Sequence, residues 1–148
     1  MKKLITMALM ALMTLGTSVS ANEWDKIRIG VEGAYPPFSA VAPDGTLEGF
    51  DIDITFALCE EIGAYCVLVP QDWDGIIPAL LARKYDAIIA SMSITEERKK
   101  KVAFSEKYYN TPAKFARKKG SGISISKAGL KGKTVGVQRA TTHDNFIT

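Results

Sequence analysis

Lys84-Tyr85-Asp86-Ala87-Ile88-Ile89-Ala90-Ser91-Met92-Ser93-Ile94-Thr95-Glu96-Glu97-Arg98 is the stretch whose reading decides the fold. Ala87 to Ala90 is a short apolar run that fits a buried strand. Ser93-Ile94-Thr95-Glu96 follows at once and matches the capping-box pattern, so a charged helix is expected to about Val102. A strand running into a helix start sets this loop at a carboxyl end of a sheet. Open α/β sheets collect their ligands there.

Working outward towards the N-terminus, the same alternation repeats. Ile27 to Val31 carries β-type residues on both faces and reads as a buried opening strand. Tyr35-Pro36-Pro37-Phe38 breaks it, because two prolines exclude a central strand. Pro43-Asp44-Gly45 is a turn, after which Thr46 to Phe50 returns as a short strand. Ile52, Phe56, Cys59 and Ile62 recur at helical spacing and predict a helix with those four residues inward, capped by Asp51 or Asp53 and ended by Gly63. Cys66 to Val69 is a second strand. A helix capped by Asp72 or Asp74 should run to about Arg83, with Ile77, Leu80 and Leu81 inward. This order predicts an α/β unit with a mainly parallel sheet and right-handed crossovers.

On the C-terminal side, residues 103–119 read as extended. Lys118 to Ser126, rich in Gly, Ser and Lys, reads as an exposed loop. Thr134 to Val137 predicts another buried strand, and Thr141, Thr142 and His143 open the helix after it. The chain stops barely inside that helix, so a longer parent sequence is expected.

The first 21 residues read as an export signal. Lys2 and Lys3 form a positive start, Leu4 to Leu15 is apolar and uncharged, and Val19-Ser20-Ala21 fits a cleavage site. A membrane anchor is the competing reading, but the run is short of the roughly 20 residues a span needs. The net charge is +3; loss of Lys2 and Lys3, with no acid before Glu23, lowers it to +1. Such a balance is no signature of nucleic-acid or membrane-surface binding. The runs Arg98 to Lys101 and Lys118-Lys119 fit solvated faces. Two cysteines, Cys59 and Cys66, in an exported chain argue for a disulfide, with two buried thiols as the alternative. They predict no metal site, because His143 is the single histidine.

Signatures of enzymes are missing: there is no G-x-S-x-G, P-loop, H-E-x-x-H or G-x-G-x-x-G. The residues around the quoted stretch suit binding instead. Ser91 and Ser93 bring hydroxyls and backbone N–H groups to a helix start, where an anion is favoured. One turn on, the planar fork of Arg98 can grip a carboxylate in two parallel hydrogen bonds. The bland alternative is that the serines cap and Arg98 is a surface charge. Tyr35 and Trp73 follow the first two strands and offer ring faces for an alkyl stem or cation. Glu32 and Asp51 are acids near the same rim and would favour a positively charged tail. His143 reads on its own as a polar residue at a helix start.

Six ordered segments carry a resemblance. They are Ile27-Arg28-Ile29-Gly30 with Tyr35-Pro36-Pro37-Phe38, Gly49-Phe50-Asp51-Ile52-Asp53, Trp73 to Leu80, Lys84 to Ile88, Ser91 to Arg98, and Leu130 to Val137. Together they resemble the polar amino-acid-binding proteins of ABC importers, the lysine/arginine/ornithine- and histidine-binding family. The resemblance implies the two-lobe periplasmic-binding-protein fold (type II): signal peptide 1–21, lobe one 22–110, hinge 111–118 and the start of lobe two 119–148. It implies Arg98 as the carboxylate clamp with Ser91 and Ser93 beside it. Tyr35 and Trp73 become a stacking pair, Glu32 and Asp51 face a cationic side chain, and Thr142 with His143 belongs to lobe two. It also implies a Cys59–Cys66 disulfide, no cofactor, a monomer in the periplasm, and delivery of arginine, lysine, ornithine or histidine to an inner-membrane permease. The acid for the α-ammonium would lie beyond Thr148. Ala90, Glu32 and His143 depart from the family's commoner serine, aspartate and glutamine. Opine binding, a dehydratase of the same fold acting on a prephenate-like acid, and a receptor sensor domain are the rivals.

Overall fold

The computed structural model describes residues 24–148; the expected signal peptide lies outside them. Lys26–Val31 (β1) is the middle strand of a parallel sheet, with Tyr65–Pro70 (β5) on one side and Ala87–Ile88 (β6) on the other. The register runs from Lys26 opposite Tyr65 to Val31 opposite Pro70, and Ile29 and Gly30 face Ala87 and Ile88. In chain order, between β1 and β5, comes a separate small antiparallel sheet of Ala34–Tyr35 (β2), Ser39–Val41 (β3) and Leu47–Glu48 (β4). Side chains alternate across a strand, so β1 serves two cores. Ile29 and Val31 pack with Ile52, Cys59 and Cys66. On the opposite face Gly30 leaves room for Tyr85, which packs with Ile76, Ala79 and Ala90. Helices thus cover both faces of the sheet, as the alternation of elements predicts.

The first covering helix, Phe50–Glu61 (α1), starts at Gly49 and not at a capping aspartate. Gly49 has φ 119°, and a Cβ there would come within 2.6 Å of the Phe38 carbonyl oxygen, so only glycine fits. Its buried stripe is Asp51, Ile52, Thr55 and Cys59, while Phe56 and Ile62 are exposed. Ile52 and Cys59 are inward as expected, but Phe56 and Ile62 are not, because polar Asp51 and Thr55 complete the buried stripe. Thr55 satisfies itself by donating to the Asp51 carbonyl at 2.7 Å, so burial there needs no apolar side chain. Gly63, at φ 69°, follows the helix as expected. The Cys59–Cys66 disulfide ties α1 to β5 across a Cα–Cα distance of 6.1 Å.

The second covering helix is shorter than expected. Trp73–Gly75 forms one 3-10 turn with no side-chain cap, and Ile76–Leu81 (α2) follows. Ile76 and Ala79 point inward, Ile77 and Leu80 pack at the margin, and Leu81 is exposed. After β6, Thr95 and not Ser93 caps the single turn Glu96–Lys99 (α3): its hydroxyl accepts from the Arg98 backbone N–H. The residue three beyond Thr95 is Arg98, so the reciprocal half of a capping box cannot form. Arg28 on β1 closes the sheet edge onto Asp86, donating from its backbone N, Nε and Nη2.

Beyond residue 102 the described chain contains only Lys127–Leu130 (α4), capped by Ser126, and Thr142–Ile147 (α5), capped by Thr141. The strand expected at Thr134 to Val137 does not form, and those residues are largely exposed. No described segment pairs with its backbone, and a strand without a partner gains no ladder. No helix of the described residues is long and apolar enough to cross a membrane.

Candidate functional site

All three parallel strands end at the same edge of the sheet. Glu32 follows β1, Trp73 follows β5 after a short link, and the 91–98 loop follows β6. The guanidinium of Arg98 lies 5.3 Å from the centre of the Trp73 ring. Its Nη1 donates to the Ser93 carbonyl at 2.8 Å and its Nη2 to the Ala140 carbonyl at 3.2 Å. The Trp73 indole N–H donates to that same Ala140 carbonyl at 3.0 Å. Trp73, Arg98, Met92, Ala140 and Thr142 line a cleft of about 380 Å³. Burial pulls the Arg98 pKa below its ordinary value, opposed by the nearby Glu97 charge. A guanidinium remains a cation under such a shift.

What this arrangement can do follows from its donors. Two of the five guanidinium N–H groups are taken by neutral carbonyls. A carboxylate is a stronger acceptor, because its bonds to Arg are charge-assisted and bidentate. The cleft therefore suits an anion at Arg98, with an aromatic face alongside.

The other expected residues are placed variously. Glu32 is half-buried and accepts from the Gln138 side-chain amide. Burial raises its pKa; the Gln138 hydrogen bond lowers it, and the charge of Asp72 raises it again. Thr142 lines the Arg98 cleft, whereas His143 is exposed and does not. Tyr35 stacks on Phe38 at 5.3 Å and does not line that cleft, so no sandwich with Trp73 is formed. Asp51, expected to face a cationic side chain, is fully buried. Its Oδ2 accepts from the Ser91 hydroxyl at 2.7 Å and its Oδ1 from the Tyr108 hydroxyl at 2.9 Å. Both oxygens are thus occupied inside the protein. Ser91 and Ser93 line a larger cavity of about 810 Å³ that runs along residues 101–111 and adjoins the first at Met92, but Trp73 and Arg98 do not line it. Chemistry rather than size selects the smaller cleft.

Sequence reasoning missed Gln138, Arg139, Ala140 and Tyr108. Arg139 donates to Asp74 at 2.8 Å. Ala140 acts through its carbonyl, which no reading of side chains can find. Among the described residues no cluster of His, Cys, Asp or Glu could hold a metal ion.

The carboxyl edge of this α/β sheet presents a guanidinium and an indole on one cleft, with Glu32 at the same edge but outside the cleft lining, an arrangement suited to holding a small molecule. The chain belongs to the bacterial extracellular solute-binding proteins, family 3, which match residues 27–145. It is similar to the L-arginine-binding protein of Pseudomonas aeruginosa, 52% identical over 148 residues. It is also similar to the histidine-binding periplasmic protein of Salmonella typhimurium, 41% identical over 147 residues. The match covers 100% and 99% of this chain but only 57% and 56% of those relatives, so the chain spans under three-fifths of their length. The structure of an ancestral arginine-binding protein bound to arginine superposes with a TM-score of 0.75 at 40% identity, covering 84% of this chain and 57% of that one. The α/β periplasmic-binding-protein fold expected from the sequence is the fold of these relatives.

Proposed function

We propose that this chain is the ligand-capturing part of an extracytoplasmic binding protein that takes up a cationic amino acid, arginine foremost, and passes it to an inner-membrane ABC permease without chemical change. One observation carries the reading: Arg98, held beside the Trp73 ring, opens onto a cleft at the same sheet edge as Glu32. In this reading Arg98 exchanges its carbonyl partners for the ligand's α-carboxylate. Trp73 flanks the alkyl stem. Glu32, in its ionised form, attracts the positive tail. Residues 111–118 act as the hinge, and Thr142, on lobe two, completes the carboxylate site when the lobes close. Residues 1–21 direct export to the periplasm, the protein works as a monomer, and no cofactor takes part. The names borne by the relatives, arginine- and histidine-binding, support the ligand class.

Calorimetric titration of the full-length mature protein with arginine, lysine, ornithine and histidine tests this. Arginine should bind at micromolar concentration or below, and silence towards all four at millimolar concentration would end the reading. Arg98→Ala should weaken every ligand by at least about a hundredfold, since two charge-assisted hydrogen bonds at about 1.5–3 kcal/mol each are lost.

A second reading has one observation behind it: burial raises the Glu32 pKa above its ordinary value, the direction a general acid needs. A dehydratase acting on a prephenate-like acid would use it so. Product formation from such an acid, abolished in Glu32→Gln, would favour the enzyme.

A further inference from the structure

A closed polar triangle ties the binding loop to two elements behind it. Ser91 donates its hydroxyl to Asp51 Oδ2 at 2.7 Å and its backbone N–H to the Tyr108 hydroxyl at 3.2 Å. Tyr108 in turn donates to Asp51 Oδ1 at 2.9 Å. Asp51, in the first turn of α1, has no exposed surface. The Tyr108 ring is fixed as well, against Phe50 at 6.3 Å and Tyr109 at 5.1 Å.

Ser91 has φ 52°, a left-handed conformation that a serine adopts only when its surroundings hold it there. This turn redirects the chain from β6 into the 91–98 loop. Two residues on, the Ser93 carbonyl meets Arg98 Nη1 at 2.8 Å. The Ser91 conformation therefore decides where the Ser93 carbonyl, and with it the Arg98 fork, stands. Asp51 is fully buried and each of its oxygens accepts one bond within the triangle, so its carboxylate faces Ser91 and Tyr108.

We infer that Tyr108 and Asp51 are positioning residues, which lock Ser91 in its left-handed turn and so pre-set Arg98 for a carboxylate. This rests on the proposed binding of an amino acid at Arg98. The role assigned to Asp51 is indirect, and Tyr108, which carries no motif, gains a role in affinity. Tyr108 lies just before the expected hinge, so the lock also joins the binding loop to the segment that would lead into it.

The test uses the full-length protein with Tyr108→Phe, which keeps the ring and removes the hydroxyl, and Asp51→Asn, which keeps the size. Two quantities are measured: the Kd for arginine by calorimetry, and the hydrogen-exchange rate of the Ser91 amide by NMR without ligand. Tyr108→Phe should raise the Kd about tenfold, the cost of one loosened hydrogen-bonded contact. Ser91 exchange should quicken by a similar factor while the amides of Ile52 and Thr55 in α1 keep their rates. Tyr65→Phe, on the exposed side of β5, should change neither quantity. A Kd within twofold of the parent, or an unaltered Ser91 rate, overturns the inference. If the parent protein binds none of the four amino acids, the transport reading fails and the Ser91 rate alone decides the lock. Should Tyr108→Phe not fold, Asp51→Asn decides by the same two measurements.

Discussion

Glu32 is where acidity should reach the ligand. Burial lifts its carboxyl above the ordinary 4.5, and Asp72's charge adds to this against the Gln138 amide. A cationic tail needs the ionised form, which disappears as pH falls through the raised pKa. Arginine affinity should therefore decline on acidification, beginning at a higher pH than an ordinary glutamate would set. Glu32→Gln should bind more weakly at neutral pH and lose that slope; an equal slope in the variant would assign the titration elsewhere. Folding stability has the opposite sign at this residue. An acid with a raised folded pKa favours its protonated form, so its stabilising contribution is present below the unfolded pKa and lost as pH rises through the folded one. At this scale the sequence was legible where a side chain carries its own chemistry. Arg98 and Trp73 stand together because a guanidinium and an indole can be placed from strand ends alone. Asp51 was legible as an acid near the rim but not in its role, because burial depends on residues far away in the chain, Ser91 and Tyr108.

Elements were legible where one local rule governs them. β1, β5, the Asp44-Gly45 turn and the stop at Gly63 follow from β-branched runs and glycine conformations. The inward face of α1 was legible only in Ile52 and Cys59, since polar Asp51 and Thr55 complete it and a count of apolar spacing passes over them. Thr134 to Val137 has strand composition and forms no strand, because pairing needs a neighbour that composition cannot supply. One tight element-level constraint is the packing of β1 on Tyr85. A Cβ at Gly30 would stand 2.5 Å from the Tyr85 ring. The ring cannot swing away: it is buried and its hydroxyl donates to the Ile76 carbonyl. Gly30→Ala should cost about 1–3 kcal/mol through overpacking. A thermal melt of the full-length protein reads this, and an unchanged midpoint would mean that the sheet and α2 separate more easily than their packing implies.

At the scale of the molecule, residues 138–142 are stitched across the carboxyl edge of the sheet. Gln138 holds Glu32, Arg139 holds Asp74, and the Ala140 carbonyl takes bonds from Arg98 and Trp73. No local pattern announces this; the resemblance supplied the two lobes, and only the folded chain shows which atoms meet. If these residues belong to lobe two, the contacts exist only in the closed arrangement and bias the population towards it before a ligand arrives. The Arg139–Asp74 pair is the separable part, since neither residue supplies the anchor for the carboxylate. Its side chains are 85% and 45% exposed, so solvent screens it and it contributes at most about 1 kcal/mol. Arg139→Ala should then weaken arginine by up to about fivefold, chiefly through a faster dissociation rate, because the lost contact acts after encounter. Stopped-flow dissociation at two ionic strengths isolates the effect. At about 1 M salt the Debye length is near 3 Å, and the parent and Arg139→Ala should converge. Arg98→Ala should remain weak in both, because it lacks the carboxylate anchor at either salt concentration. Dissociation rates of parent and Arg139→Ala that already agree at low salt would show that segment 138–142 follows the ligand into place and does not hold it there.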